Sequence, residues 1–121
     1  MKKIMLAIAA IAATLPLIAM AAKRPREITL VAKQMAFYVE GDSSPNPVIR
    51  LKPGERVRFT LKNEDRGVVH DFTIRALGVA TGTLRTAERG SVVFEVPKRI
   101  GEYRYTCKPH AKMMAGTVTV E

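Results

Sequence analysis

The sequence predicts an all-β protein, a sandwich of about seven to eight strands, behind a short apolar leader. Short runs in which apolar and polar residues alternate recur along the chain, and this period is typical of strands with one buried face. Clusters of Gly, Pro, Asn and Asp separate the runs, as turns do. After residue 21 no stretch shows a helical period. Together these three observations favour a sandwich over a helical or mixed fold.

The leader, residues 1–21, has the composition of a secretory signal peptide. It begins with two lysines, continues as an uncharged apolar run and ends in Ala19-Met20-Ala21, a small-x-small cleavage site. We therefore expect a domain of residues 22–121 that works in a bacterial periplasm. A retained membrane anchor is the alternative, because the run approaches the length of a spanning helix. Pro16 and the cleavage site favour removal.

The expected domain is small and strongly basic. Its eighteen basic and eleven acidic residues give a net charge of +7, after the two leader lysines are removed from the +9 of the whole chain. Such a charge steers acidic partners towards the protein. The cations are scattered along strands and no nucleic-acid-binding motif is present, so nucleic acid is excluded as a partner. We expect a monomer that does not contact the membrane once the leader is cleaved.

The first half of the domain contains an arm and four predicted strands. Lys23–Arg26 is expected to be an exposed arm, and Gly41–Pro47 has the composition of a turn. The fourth strand alternates most regularly, and its pattern places Val57, Phe59 and Leu61 on the inner face. The predicted strands are Glu27–Lys33, Ala36–Val39, Val48–Leu51 and Arg56–Asn63.

The second half contains a further set of predicted strands separated by a long, weakly patterned segment. That segment, Leu77–Gly90, is predicted to be a loop with a short strand. Pro97 ends the strand that follows it, because proline cannot donate to a sheet. The predicted strands here are Val68–Ile74, Ser91–Val96, Gly101–Thr106 and Gly116–Val120.

The residues between the last two strands have the chemistry of metal ligands. The only cysteine, Cys107, lies there with His110, Met113 and Met114, and the second histidine of the chain, His70, lies in an earlier strand-like run. Two imidazoles, a thiolate and a thioether are the ligands of a blue-copper electron-transfer site. One cysteine cannot form an internal disulfide, and metal binding would protect its thiol in an oxidising compartment. A buried inert cysteine or a zinc site are the alternatives.

These motifs resemble a known family. Cys107-x-x-His110 followed by Met-x-Gly-x-Val-x-Val is similar to the cupredoxins, the group of plastocyanin, amicyanin and azurin. His70-Asp71-Phe72 resembles the upstream histidine motif of that family. The resemblance implies a cupredoxin-like Greek-key β-sandwich that binds one type 1 copper per chain through His70, Cys107, His110 and Met114. It also implies that His110 is the port through which electrons enter and leave.

The axial ligand is open between two adjacent methionines. Side chains in a strand alternate faces, so only one of the two is expected to point at the metal. Met114-Ala115-Gly116 fits the Met-x-Gly register of the family, which favours Met114. Met113 would preserve the shorter Cys-to-Met spacing of amicyanin. Neither methionine need be a ligand, because methionine is a common filler of core gaps.

Two further residues are expected beside the ligands. Asp71 follows His70 directly and is expected to accept a hydrogen bond from the ligand loop. The alternative is an ordinary loop carboxylate. Pro109 has no N–H, so it cannot donate a hydrogen bond to the sulfur of Cys107.

The predicted function is one-electron transfer by Cu(II)/Cu(I) cycling in the periplasm. The expected partner is an acidic redox protein such as a cytochrome or a periplasmic oxidoreductase. We expect no enzymatic activity, because a copper ion closed in by four ligands has no open position for a substrate. The alternative is a periplasmic copper carrier or copper-resistance protein. Outside the ligand loop the expected domain has only one methionine, Met35, and no third histidine, which favours electron transfer.

Overall fold

A computed structural model describes residues 2–5, 7–13 and 24–121 of the chain, and the strands of the last range form two sheets. One sheet has the order β2-β1-β4-β7 and the other the order β3-β9-β8-β5-β6. The strands are β1 (Arg26–Lys33), β2 (Ala36–Val39), β3 (Ile49–Leu51), β4 (Arg56–Asn63), β5 (Thr73–Ile74), β6 (Val79–Ala80), β7 (Arg89–Glu95), β8 (Gly101–Thr106) and β9 (Ala115–Val120).

The connectivity is that of a Greek-key sandwich. β1 runs parallel to β4 and β3 runs parallel to β9, whereas the other pairs are antiparallel. The described residues contain no α-helix, only the single 3₁₀ turns Arg75–Leu77 and Lys108–His110. The predicted fold class is therefore confirmed. The nine strands slightly exceed the expected number, because this count includes β5 and β6, which are only two residues long each.

Strand β4 shows why alternation predicted the core well. Val57, Phe59 and Leu61 are fully buried between the sheets, as predicted, whereas their neighbours along the strand are at least partly exposed. Phe59 contacts Phe72, which lies just before β5 of the other sheet, with a ring-centroid separation of 4.7 Å. Burying a large apolar side chain stabilises the fold by about 1.5–3 kcal/mol. The inner faces of the two sheets together supply a single core.

The prediction of a strand over Val68–Ile74 is wrong for most of that run. Only its last two residues belong to a strand, and His70 makes an isolated bridge with Leu84. Between His70 and β5 a backbone group bonds to a side chain and not to a neighbouring strand. The N–H of Phe72 donates to the side-chain Oγ1 of Thr81 at 3.0 Å. This segment is therefore an irregular stretch that leads into β5, although its alternation of apolar and polar residues is typical of a strand.

The expected arm ends earlier than predicted. Arg26 is the first residue of β1, and its guanidinium donates to Glu55 Oε1 at 3.0 Å. The pairing of Arg26 with Val57 explains the difference, since it extends β1 to the start of the parallel strand β4. Arg24 stays exposed, as expected for an arm.

The described part of the leader exposes its large apolar side chains. Ile4, Met5, Ile8 and Ile11 are 86–94% exposed. Among the described residues no helix is long and apolar enough to cross a membrane. The predicted cleavage site, Ala19-Met20-Ala21, lies outside the described residues, so the export signal stays a prediction.

Candidate metal centre

The ends of two neighbouring strands bring the ligand candidates together. β5 and β8 are antiparallel and pair through Thr73 and Thr106, so the chain entering β5 and the chain leaving β8 lie at the same end of the sandwich. His70 precedes β5 and Cys107 follows β8. As a result His70 Nδ1 lies 3.6 Å from Cys107 Sγ, although the two residues are 37 positions apart.

The connection between β8 and β9 folds into a tight loop with three ligand candidates on it. The N–H of Cys107 donates to the carbonyl of Met114 at 3.0 Å, which closes the loop at its base. Inside it the N–H of Met114 donates to the carbonyl of His110 at 2.9 Å. Pro109 stands in the first turn of the 3₁₀ segment, where a missing N–H leaves no helical bond unmade. The backbone therefore fixes the spacing of all three side chains.

The nitrogen and sulfur atoms fit a single metal ion. His110 Nδ1 lies 3.5 Å from Cys107 Sγ, and the three donor atoms of His70, Cys107 and His110 all lie within 4.8 Å of one another. An ion bound at about 2.3 Å to sulfur and about 2.0 Å to nitrogen, with angles of roughly 100–120°, holds those two atoms about 3.3–3.7 Å apart. Both observed sulfur–nitrogen distances fall in that range. The donors therefore surround one metal position.

Burial distinguishes the two methionines. Met114 is fully buried in the core together with His70 and Cys107, whereas the side chain of Met113 is 61% exposed. His110 is only partly buried. A soft thioether thus lies on the buried side of the site, and one imidazole lies near its surface. This arrangement supports Met114 as the axial ligand.

Burial also controls the protonation of the cysteine. It raises the pKa of the Cys107 thiol, although the backbone N–H groups of Asp71 and His110 act in the opposite direction by hydrogen bonding to the sulfur. Without a metal the thiol therefore keeps its proton at neutral pH. Because a metal binds the thiolate, binding releases that proton, and metal affinity falls as the pH is lowered.

A carboxylate that the sequence analysis missed supports the buried histidine. Asp65 Oδ2 accepts a hydrogen bond from His70 Nε2 at 2.7 Å. Burial raises the pKa of Asp65, but hydrogen bonds from the N–H of Met35, from His70 and from the N–H of Gln34 outweigh this effect and hold the pKa below its ordinary value. The ionised carboxylate can only accept, so Nε2 carries the ring hydrogen and the lone pair of Nδ1 is left for a metal.

The position of Asp65 is itself fixed by a buried amide. Asn63 is almost fully buried, and its Oδ1 accepts from the N–H of Asp65 at 2.9 Å while its Nδ2 donates to the carbonyls of Val68 and Leu84. In the sequence, residues 64–67 only separate the two predicted strands Arg56–Asn63 and Val68–Ile74. A carboxylate five residues before a candidate ligand was the only available signal, and that signal is too common to be decisive.

Asp71 contacts the ligand loop by a hydrogen bond. Its Oδ1 accepts from the N–H of Lys108 at 2.8 Å, and its side chain is buried beside Thr73. On the other side of the loop Asn46 Nδ2 donates to the carbonyl of Met113 at 3.1 Å. The sequence analysis placed Asn46 only in a turn. Both contacts tie the ligand loop to the sandwich.

The sequence matches the Cupredoxin-like domain family over residues 4–120. A match of this extent, on a sandwich with this cluster of two histidines and a cysteine, means that the chain belongs to the cupredoxin-like domain family. The predicted family and the predicted cofactor, one copper ion of the type 1 class per chain, are thereby confirmed. His70, Cys107, His110 and Met114 are arranged as a type 1 copper site. No curated protein sequence matches the chain significantly.

Solved structures share the fold at low identity. Auracyanin B is 24% identical, with a TM-score of 0.63 over 83% of this chain and 92% of its own. Rusticyanin from Thiobacillus ferrooxidans is 22% identical, with a TM-score of 0.60 over 83% of this chain and 79% of its own. The McoA multicopper oxidase of Aquifex aeolicus is 16% identical, with a TM-score of 0.64 over 79% of this chain but only 26% of its own. At these identities the likenesses establish the fold.

Proposed function

We propose that this protein carries single electrons between redox partners in the periplasm, with copper held by His70, Cys107, His110 and Met114. The observation that carries the proposal is the cluster of two imidazole nitrogens and one sulfur within 4.8 Å, with a buried methionine on the same loop. Bound copper supplies the one-electron chemistry by cycling between Cu(II) and Cu(I).

The protein supports this chemistry by keeping the metal ligands in a fixed arrangement. The loop hydrogen bonds and the buried environment keep the four donors in one arrangement for both oxidation states, so little reorganisation accompanies transfer. His110 is the partly exposed ligand, and the half-buried Ala111 and the exposed Met113 lie beside it. These features support His110 as the electron port. Four ligands leave no position for a substrate, and we therefore propose no enzymatic activity.

The visible absorption spectrum tests the copper site. Titrating the purified protein with Cu(II) is expected to give an intense thiolate-to-copper band that saturates at one equivalent. Cys107→Ala should abolish the band, because no other cysteine exists in the chain. Lys112→Ala, an exposed change in the same loop, should keep it. A band that survives in Cys107→Ala, or none in the unaltered protein, contradicts the proposal.

Kinetics separate electron transfer from copper carriage. An electron carrier exchanges electrons rapidly between its Cu(I) and Cu(II) forms and keeps Cu(I) when challenged with a chelator. A slow self-exchange rate measured by NMR line broadening, together with ready loss of Cu(I) to the chelator, would favour a copper carrier. Outside the ligand loop, the expected domain offers only Met35 as a further soft ligand, which supports the electron carrier.

Export is the remaining part of the proposal. We propose that residues 1–21 direct the chain to the periplasm and are removed. The exposure of Ile4, Met5, Ile8 and Ile11 supports this role, because a segment that belonged to the folded domain would bury such side chains. The mass of the protein recovered from a periplasmic extract checks it, and the expected chain begins at Ala22. Recovery of the uncleaved chain from the membrane fraction would support an anchor instead.

A further inference from the structure

His70 connects the copper site to a carboxylate on its far side. Its Nδ1 lies 3.6 Å from Cys107 Sγ, and its Nε2 donates to Asp65 Oδ2 at 2.7 Å. The imidazole is fully buried, and the carboxylate is partly buried, with 15% of its side chain exposed. The negative charge of Asp65 therefore lies across one buried imidazole ring from the metal position, and water screens charges at such partly buried positions less than it screens exposed charges.

The carboxylate of Asp65 also accepts hydrogen bonds from the turn between β1 and β2. Gln34 N–H donates to Oδ1 of Asp65 at 2.6 Å, and Met35 N–H donates to Oδ2 at 3.1 Å. Both turn residues have positive φ angles, 50° and 60°, which are uncommon outside glycine. Two successive N–H groups thus converge on one carboxylate, as in the backbone nests that bind anions. A side chain held by three donors has no freedom to rotate away from His70.

We propose that Asp65 is a positioning residue that orients His70 and lowers the reduction potential of the copper site. A carboxylate on the far nitrogen fixes the tautomer and raises the basicity of a ligating imidazole. Its charge also favours Cu(II) over Cu(I), because the oxidised ion carries the greater positive charge. The inference rests on the copper site proposed above, and it assigns to Asp65 a role that neither ligand spacing nor family motif indicates.

Asp65→Asn tests the inference. The amide keeps the shape but loses the charge, and it has one accepting oxygen where three donors now converge. We expect the affinity for Cu(II) to fall about 10- to 100-fold, as removal of such partners typically causes, with a smaller effect on Cu(I). The reduction potential should therefore rise, and a tenfold change in the ratio of the two affinities corresponds to about 59 mV. Voltammetry and competition with copper chelators measure both quantities.

Glu64→Gln is the matched control. Glu64 is the neighbouring carboxylate in the same loop, it is exposed, and its side chain has no hydrogen bond to His70. This variant loses the same charge and should leave the potential nearly unchanged. Equal shifts in the two variants would mean a general effect of surface charge and would overturn the role assigned to Asp65, as would no shift in Asp65→Asn.

A measurement on the unaltered protein covers the case in which Asp65→Asn fails to fold. In the Cu(I) protein, the proton on Nε2 of His70 should give a distinct NMR signal that exchanges slowly with water. A rapidly exchanging proton, or an Nε2 without a proton, overturns the inference. Loss of the thiolate-to-copper band in the unaltered protein would contradict the proposed function instead, so the two failures are distinguishable.

Discussion

Met113 and Met114 have identical side chains and opposite surroundings. Met114 is fully buried in the core, whereas Met113 is 61% exposed, and the backbone carbonyl of Met113 accepts a hydrogen bond from Asn46. Asn46 has a φ of 46°, and its Oδ1 also accepts from the N–H of Phe37. One residue in a left-handed conformation thus links the ligand loop to β2. This link fixes the backbone at the exposed Met113, and the N–H of Met114, which donates to the carbonyl of His110, fixes the backbone at the buried methionine.

This difference leads to a paired prediction. Met114→Leu conserves volume but removes a thioether that donates weakly to Cu(II), so we expect the reduction potential to rise while the thiolate-to-copper band persists. The change in the free energy of unfolding should stay below about 1.5 kcal/mol, as is usual for a swap of this kind. Met113→Leu should change neither quantity measurably. Voltammetry of both variants checks the pair, and a shift confined to Met113→Leu would reverse the assignment.

Strands β8 and β9 contain a second residue pair that holds the ligand loop in shape. Tyr105 lies directly opposite Gly116 in the pairing of β8 with β9. Tyr105 comes two residues before Cys107, and Gly116 comes two residues after Met114. Its ring is fully buried against Phe37, and its hydroxyl donates to the carbonyl of Pro47 at 2.6 Å. Burial raises the pKa of that hydroxyl, so it stays protonated and continues to donate at physiological pH. The glycine leaves the space that this ring occupies.

Replacing that glycine should destabilise the fold strongly. A Cβ atom on Gly116 would lie 2.2 Å from atoms of the Tyr105 ring, closer than any side chain tolerates. We expect Gly116→Ala to cost about 1–3 kcal/mol of unfolding free energy, the usual cost of overpacking. Urea denaturation of the metal-free protein measures it, so that changes in copper binding do not contribute.

A glycine at the other end of β8 provides the control for this prediction. Gly101 pairs with Val120, and a Cβ atom there would meet no atom within 4 Å. Gly101→Ala should therefore change stability by less than about 0.5 kcal/mol, as surface substitutions usually do. Equal losses in the two variants would show that any alanine in this pair of strands is harmful and that the space for Tyr105 is not the cause.

The strands and the site differ in how well the sequence predicted them. The alternation of β4 predicted its buried residues because a strand with one buried face has a simple period. The metal ligands were predictable because copper chemistry restricts the residue types. The irregular segment before β5 was not predictable, since its backbone bonds to side chains such as that of Thr81, and no periodic pattern in the sequence indicates such bonds. Asp65 escaped prediction for a related reason, because its function depends on three donors that only the fold brings together.

Across the whole molecule, the positive charge is not evenly neutralised. Within residues 24–121, the lysine and arginine side chains that form ion pairs are Arg26, Arg50, Arg58 and Lys62. An open groove beside the ligand loop is lined instead by Arg75, Arg104 and Lys108, with no carboxylate among its lining residues. These three cations lie around Thr106 and Ala111, next to the copper ligands. An acidic partner steered by the net charge would therefore meet three cations and no carboxylate in this groove beside the ligand loop.

The groove predicts a charge-dependent rate of electron transfer. We expect the Cu(I) protein to be oxidised faster by anionic ferricyanide at low ionic strength than at high ionic strength, because salt screens the attraction. In the double variant Arg75→Gln with Lys108→Gln, the low-salt rate should fall about twofold to tenfold, since local fields of this kind change encounter rates by an order of magnitude or more. Stopped-flow absorbance of the thiolate-to-copper band measures the rate.

The matched control removes the same charge from the far end of the sandwich. Arg56 begins β4 and Arg99 lies just before β8, so both are exposed at the end opposite the ligand loop. If the field of the groove guides the oxidant, Arg56→Gln with Arg99→Gln should slow oxidation much less than the groove variant does. Equal slowing would mean that net charge alone steers the encounter. A cationic oxidant such as tris(1,10-phenanthroline)cobalt(III) should show the opposite response, because removing groove cations relieves a repulsion. Slower oxidation by both the anionic and the cationic reagent would instead indicate damage to the copper site.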